Sequence, residues 1–104
     1  MEAAHDIQWY SNSYVRLLER AAERQAYGNY HGHPNLGGRL LQEVQNKIKE
    51  ISQNLNLYPK RDDDERVASL SSSNFVLIYK KEYFKNISET KQVRLLIIDI
   101  RKSY

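Results

Sequence analysis

Four polar side chains close the chain: Asp99, Arg101, Lys102 and Tyr104 follow an apolar run that ends at Ile98. An apolar, mostly branched run of this kind suits a strand covered on at least one face. Its polar end would deliver an acid, two bases and a phenol to the edge of a sheet. A second strand pattern, Asn74 to Lys81, likewise ends in bases, Lys80 and Lys81. If the two strands are neighbours, Lys80, Lys81, Arg101 and Lys102 share one region, and the register decides how closely. The chemistry on offer is binding of phosphate or carboxylate, with Lys as a point charge and Arg as a bidentate donor. The alternative is an ordinary strand end, in which Arg101 pairs with Asp99 or Asp6 and finishes the sheet edge.

Other residues invite weaker readings. His31 and His33, with His5, suggest a metal site, but two loop histidines without an acid or thiol at ligand spacing are usually solvent exposed. Asp62 to Glu65 is a run of adjacent acids whose side chains diverge, the pattern of a solvated loop more than of a cation site. No metal and no cofactor is expected. Asn86-Ile87-Ser88 is a glycosylation sequon with no meaning in the cytoplasm. The eight tyrosines suit either a contact surface or a core.

Length and composition set the frame for these groups. At 104 residues the chain reads as one domain, 1–104, with one modest core. It has no cysteine, which excludes disulfides and thiolate zinc sites. No apolar run nears the ~20 residues that span a bilayer, and the N-terminus lacks a basic region followed by an apolar core, so a cytoplasmic protein is expected. Net charge is +3, unevenly spread. Met1 to Glu65 holds eight Lys/Arg against ten Asp/Glu (net −2), and Arg66 to Tyr104 holds eight against three (net +5). A basic strand half suggests an anionic partner on the sheet side.

The elements that must position these residues follow from periodicity. His5 to Tyr10 alternates as a short strand with Ile7 and Trp9 on one side. Ser11 or Ser13 would cap a helix with Tyr14, Leu17, Leu18, Ala21 and Gln25 at helical spacing, ending near Tyr27-Gly28. Gly28 to Pro34 breaks it. Leu41, Val44, Ile48, Ile51 and Leu55 form the stripe of a second helix that starts between Pro34 and Arg39 and stops by Pro59. Three strands remain: Arg66 to Leu70, Phe75 to Lys81, and, after a connection over Tyr83 to Thr90, the last strand. Short loops make those three an antiparallel meander. The predicted fold is α+β, two helices on one face of a four-stranded, mainly antiparallel sheet in the order β-α-α-β-β-β, with the other face open.

With that order, four short segments carry a resemblance: Ile7-Gln8-Trp9 before a hydroxyl residue and an amphipathic helix, Leu57-Tyr58-Pro59 closing the long helix, Leu77-Ile78-Tyr79, and Ile98-Asp99-Ile100-Arg101. From Ile7 to Tyr104 the chain resembles the RelE/ParE superfamily of bacterial type II toxin–antitoxin toxins, and most the ParE-like branch called plasmid stabilisation proteins. That resemblance implies a growth-inhibiting toxin partnered by a cognate antitoxin, as a homodimer or a toxin–antitoxin hetero-oligomer, without a membrane. A ParE-like toxin would bind a nucleic-acid-handling target such as DNA gyrase. A RelE-like toxin would instead be a metal-independent endoribonuclease acting on mRNA in the ribosome, with Arg101 steadying the phosphorane and Tyr104 moving a proton. A third alternative is an inactive member that binds only its antitoxin. Under the resemblance Arg66, Lys80, Lys81, Arg101 and Lys102 bind nucleic acid or partner. No histidine lies near the C-terminus and Phe75 to Tyr79 holds no arginine, departures that suit the ParE-like binder better than the nuclease.

Overall fold

A computed structural model describes residues 2–71 and 74–103, with Asp62 described in its backbone alone. Its elements are β1 (Asp6–Trp9), α1 (Ser13–Tyr30), α2 (Leu36–Gln53), a short 3-10 turn (Asp62–Asp64), β2 (Arg66–Ser69), β3 (Phe75–Lys85) and β4 (Lys91–Lys102). Both helices pack on one face of a single sheet whose strand order is β1-β4-β3-β2. The last three strands form the expected antiparallel meander, and β1 lies parallel to β4 at the far edge. The fold is therefore the predicted α+β arrangement, with β1 and the helical hairpin preceding the meander.

Periodicity explains the helices. In α2, Leu40, Val44, Ile48 and Ile51 are buried, and Leu55 continues the stripe just beyond the helix end. Leu41, expected at the start of that stripe, is only partly buried and flanks the core. The helix stops at Gln53, six positions before Pro59, because Asn54 turns extended and its amide donates to the Ile51 carbonyl. The α1 helix runs past the expected end to Tyr30 and buries Ser13, Leu17, Ala21 and Gly28, leaving Tyr14 and Leu18 about half exposed. Neither Ser11 nor Ser13 caps it. Asn12 occupies the cap position without a side-chain bond, and the fully buried Ser13 hydroxyl donates 3.2 Å to the Ile97 carbonyl, tying α1 to β4.

The hairpin is longer than its sequence pattern suggested. Tyr83 to Lys85 belongs to β3, paired with Lys91 to Val93, so only Asn86 to Thr90 is loop. One residue is out of step: Ile78 opposes Asp99 while Tyr79 opposes Ile97, which leaves Ile98 as a bulge. The bulge moves the alternation by one position. Val93, Leu95, Ile97 and Ile100 consequently all face the helices and are buried, whereas Arg94, Leu96, Asp99 and Arg101 face away. The core comprises these residues with Leu77 and Tyr79 of β3, Ala68 of β2 and the two helical stripes. No helix among the described residues is long and apolar enough to cross a membrane.

The helices meet at Gly37, where a Cβ would lie 2.5 Å from the Ala21 carbonyl oxygen and where the amide donates to Gln25 Oε1 at 3.1 Å. At the adjacent Gly38 a Cβ would meet nothing within 4 Å. The two glycines should respond oppositely to the same change. Gly37→Ala should lower stability by more than ~1 kcal/mol, because the helices must separate, and Gly38→Ala should raise it by roughly 0.5–1 kcal/mol through helix propensity. Urea denaturation of both variants checks the signs.

Candidate functional site

The sheet face away from the helices carries a groove of about 390 Å³ at its β2 end, lined by Arg61, Asp63, Glu65, Val67, Val76, Ile78, Arg101, Lys102 and Ser103. Its floor is apolar. Ile78 and Leu96 are nearly fully buried on this face, outside the helical core. Its walls come from the loop before β2 and the end of β4. Asp63 adopts a left-handed conformation (φ 62°) in that loop, which Asp tolerates better than most residues.

Arg101 stands at the rim, with about half of its side chain exposed. Its Nε donates 2.9 Å to Asp99 Oδ2, and among the described residues its two terminal nitrogens have no partner. Asp99 has three donors. Its Oδ1 also accepts the Ile100 amide at 2.8 Å and lies 3.1 Å from Arg16 Nη1. Arg16 reaches it from α1 because β1 ends at Trp9, opposite Ile97, and nothing in the sheet flanks Asp99 on that side. Burial works to raise the Asp99 pKa, but hydrogen bonds from Arg101, Arg16 and the Ile100 amide outweigh it and hold the carboxyl below its ordinary 3.8. Both pairings proposed for Arg101 are thereby resolved: it takes Asp99, while Asp6 pairs with Arg94 at 3.2 Å.

The expected basic group is not assembled in one place. Register places Arg101 opposite Val76 and Lys102 opposite Phe75, but Lys80 opposite Leu96 and Lys81 opposite Leu95. Four residues of strand separate Val76 from Lys80, roughly 13 Å at 3.3 Å per residue. Arg101 and Lys102 line the groove, and Lys80 lies farther along the same open face. Arg66 and Lys81 are on the helical side, where they line a second cleft with Lys60, Asp64 and Tyr83. There they do structural work. Arg66 donates to the Tyr58 carbonyl (2.6 Å) and to Asn56 Oδ1 (3.2 Å), and Lys81 donates to Glu2 Oε1 (3.0 Å) and Asn56 Oδ1 (2.9 Å). The Lys81 contact raises the Lys81 pKa and lowers that of Glu2. Tyr104 lies outside the described residues.

Sequence reasoning missed Arg61, whose neighbourhood in the acidic run concealed it, and Arg16, which reaches the strand end only through the tertiary fold. It also gave no weight to Arg94, which bonds Asp6, Gln8 (2.7 Å) and Glu82 (3.1 Å) across three strands and lies 4.1 Å over the Phe84 ring. The groove is accordingly of mixed charge, with Arg61, Arg101 and Lys102 lining it beside Asp63 and Glu65, and among the described residues no histidine or tyrosine lines it. Among the described residues no three His, Asp or Glu side chains converge as a metal site. His31 instead packs on Tyr27, ring centroids 4.3 Å apart. The chain matches no family model, no curated protein and no solved structure.

The Asp99 cluster makes acid stability testable. A depressed carboxyl contributes stability that is complete above its unfolded pKa and is lost as pH falls through the folded one. Asp99→Asn should be less stable than wild type at pH 7 by roughly 1–3 kcal/mol, since two arginines lose their anion. Below about pH 4 the difference should narrow as the wild-type carboxyl is protonated. Denaturation midpoints of both proteins at pH 7 and in acid measure this.

Proposed function

We propose that this chain is the toxin of a type II toxin–antitoxin pair, ParE-like, which arrests growth by binding a nucleic-acid-handling enzyme of the DNA gyrase kind. The observation that carries the choice of mechanism is the groove at Arg101. It presents a guanidinium whose Nε is held by Asp99 and whose terminal nitrogens have no partner among the described residues, beside an apolar floor, with no imidazole or phenol among the described residues that line it. Such a groove can grip a carboxylate or phosphate and bury apolar surface, which is what a protein-binding inhibitor requires. A nuclease would need a proton-transferring group beside the arginine.

The toxin reading itself is supported by where the resembling segments fall. Ile7-Gln8-Trp9 lies in β1, Leu57-Tyr58-Pro59 follows α2, Leu77-Ile78-Tyr79 lies in β3, and Ile98 to Arg101 spans the bulged end of β4. The proposed setting is the cytoplasm of a bacterium, with a cognate antitoxin covering the toxin until it is released.

Expression of the chain without its partner tests both levels. DNA synthesis should stop before translation, and Arg101→Ala should weaken the arrest by about tenfold or more, the worth of one lost charge-assisted hydrogen bond. Arg101→Lys should weaken it less, keeping the charge but not the fork. Tyr104→Phe should leave the arrest intact. If translation stops first and Tyr104→Phe lowers message cleavage by roughly 10², the chain is the RelE-like endoribonuclease. If growth continues at full expression, the toxin reading fails.

A further inference from the structure

The far end of the β3–β4 hairpin takes no part in the groove. Neither β2, which pairs no farther than Tyr79, nor β1, which begins opposite Arg94, accompanies it. The segment before β1 still reaches Val93, whose backbone bonds His5, and Tyr83, whose hydroxyl donates to Glu2, so the two-stranded ribbon proper is Phe84 and Lys85 paired with Lys91 and Gln92, with the five-residue turn Asn86 to Thr90 beyond. Three hydrogen bonds close that turn: Asn86 N to Thr90 O (3.2 Å), Glu89 N to Asn86 O (2.9 Å) and Thr90 N to Asn86 Oδ1 (3.0 Å).

On this well-bonded tip sit two features that work against the isolated protein. Ile87 is fully exposed, at 103%. Lys85 and Lys91 stand directly opposite each other, a like-charge cross-strand pair of the destabilising kind. Neither lysine has an ion-pair partner among the described residues, and Lys91 stacks over the Tyr83 ring at 4.6 Å. By contrast Lys81, Arg94 and Arg101, on the same two strands, are all paired with acids.

We infer that this tip is a wedge for duplex DNA, with Lys85 and Lys91 on the phosphates flanking a groove and Ile87 inserted between base pairs. Phosphates would relieve the lysine repulsion, and an apolar side chain at a ribbon tip is suited to unstacking a base step. Dimensions agree. Two residues of ribbon at ~3.4 Å each give about 7 Å of reach before the turn is added, against a DNA groove depth of about 7.5–8.5 Å. A lipid surface fits less well, because one isoleucine buries little apolar area and Glu89 shares its turn. This inference stands apart from the proposed toxin function and rests on a different end of the molecule.

The test uses the full chain and a fluorescein-labelled 20-base-pair duplex followed by anisotropy. With Lys85 and Lys91 each on a phosphate, the affinity should fall about 12-fold between 50 and 200 mM salt, a log–log slope of about −1.8. The double variant Lys85→Gln, Lys91→Gln should reduce that slope to near zero with an unchanged or higher Tm. Ile87→Ser should keep the salt slope but abolish the bend reported by energy transfer between dyes at the duplex ends. The inference is overturned if the duplex does not bind at 50 mM salt or if the double variant keeps the wild-type slope. It is equally overturned if Ile87→Ser bends the duplex as wild type does, or if the lysine-dependent binding is seen only with phosphatidylserine vesicles.

Discussion

The bulge at Ile98 is the constraint on which the placement of every polar group at the strand end depends. In an unbroken strand Ile97, Asp99 and Arg101 would share one face, and the helical core would have to accept an acid and a base beside Ile97. With one extra residue, Ile97 and Ile100 both enter the core and Asp99 and Arg101 both leave it. The local irregularity costs ladder pairing, yet it permits a strand that is apolar on the helical side to end in a charged cluster. Ser13 strengthens the same spot from the other side, its hydroxyl on the Ile97 carbonyl at the start of the bulge. Arg16, one turn farther along α1, reaches Asp99. Helix, core strand and groove are therefore coupled within a few residues.

The cations divide into those used by the fold and those left to solvent. Arg66 and Lys81 hold the N-terminal segment and the Asn56–Tyr58 stretch against the sheet, and Arg94 links β1, β4 and β3. These pairings take their acids largely from the N-terminal half: Glu2 and Asp6 serve Lys81 and Arg94. The charge asymmetry between the halves is thus partly consumed in docking one half on the other. Without an ion pair among the described residues are Lys80, Lys85, Lys91 and Lys102, spread along the hairpin and not concentrated in one basic patch. A dispersed set of this kind gives weak, salt-sensitive attraction to polyanions rather than a single tight site.

Much of this was legible in the sequence, and the reasons for the exceptions are physical. The stripe of α2, the Leu-Ile-Tyr strand and the meander followed from periodicity and short connections, since burial selects residue type at fixed spacing. The bulge was invisible because a run of branched apolar residues, Leu95 to Ile98, reads the same in either register. Lys80 and Lys81 looked like a pair for the same reason that they cannot act as one: neighbours in a strand point to opposite faces. Tyr83 to Lys85 looked like loop because a strand without a covering layer carries no apolar alternation. Arg16 and Arg61 were missed because their roles depend on contacts between elements far apart in the chain.

The ion pair of Arg101 with Asp99 bears on whether this arginine belongs to the fold or to a site, and the geometry makes the two roles compatible. Asp99 is buried and receives three donors, so it stays ionised and in place. It engages only the Nε of Arg101, the nitrogen nearest the stem. The guanidinium is planar, so holding Nε orients the whole fork and leaves its outer edge free for two parallel hydrogen bonds. Less side-chain entropy then remains to be lost on contact with a carboxylate or phosphate. A free surface arginine would have to be ordered at the moment of binding, whereas this one is ordered by folding. Lysine at the same position could satisfy Asp99 or reach a ligand, but its single ammonium has no second edge to present.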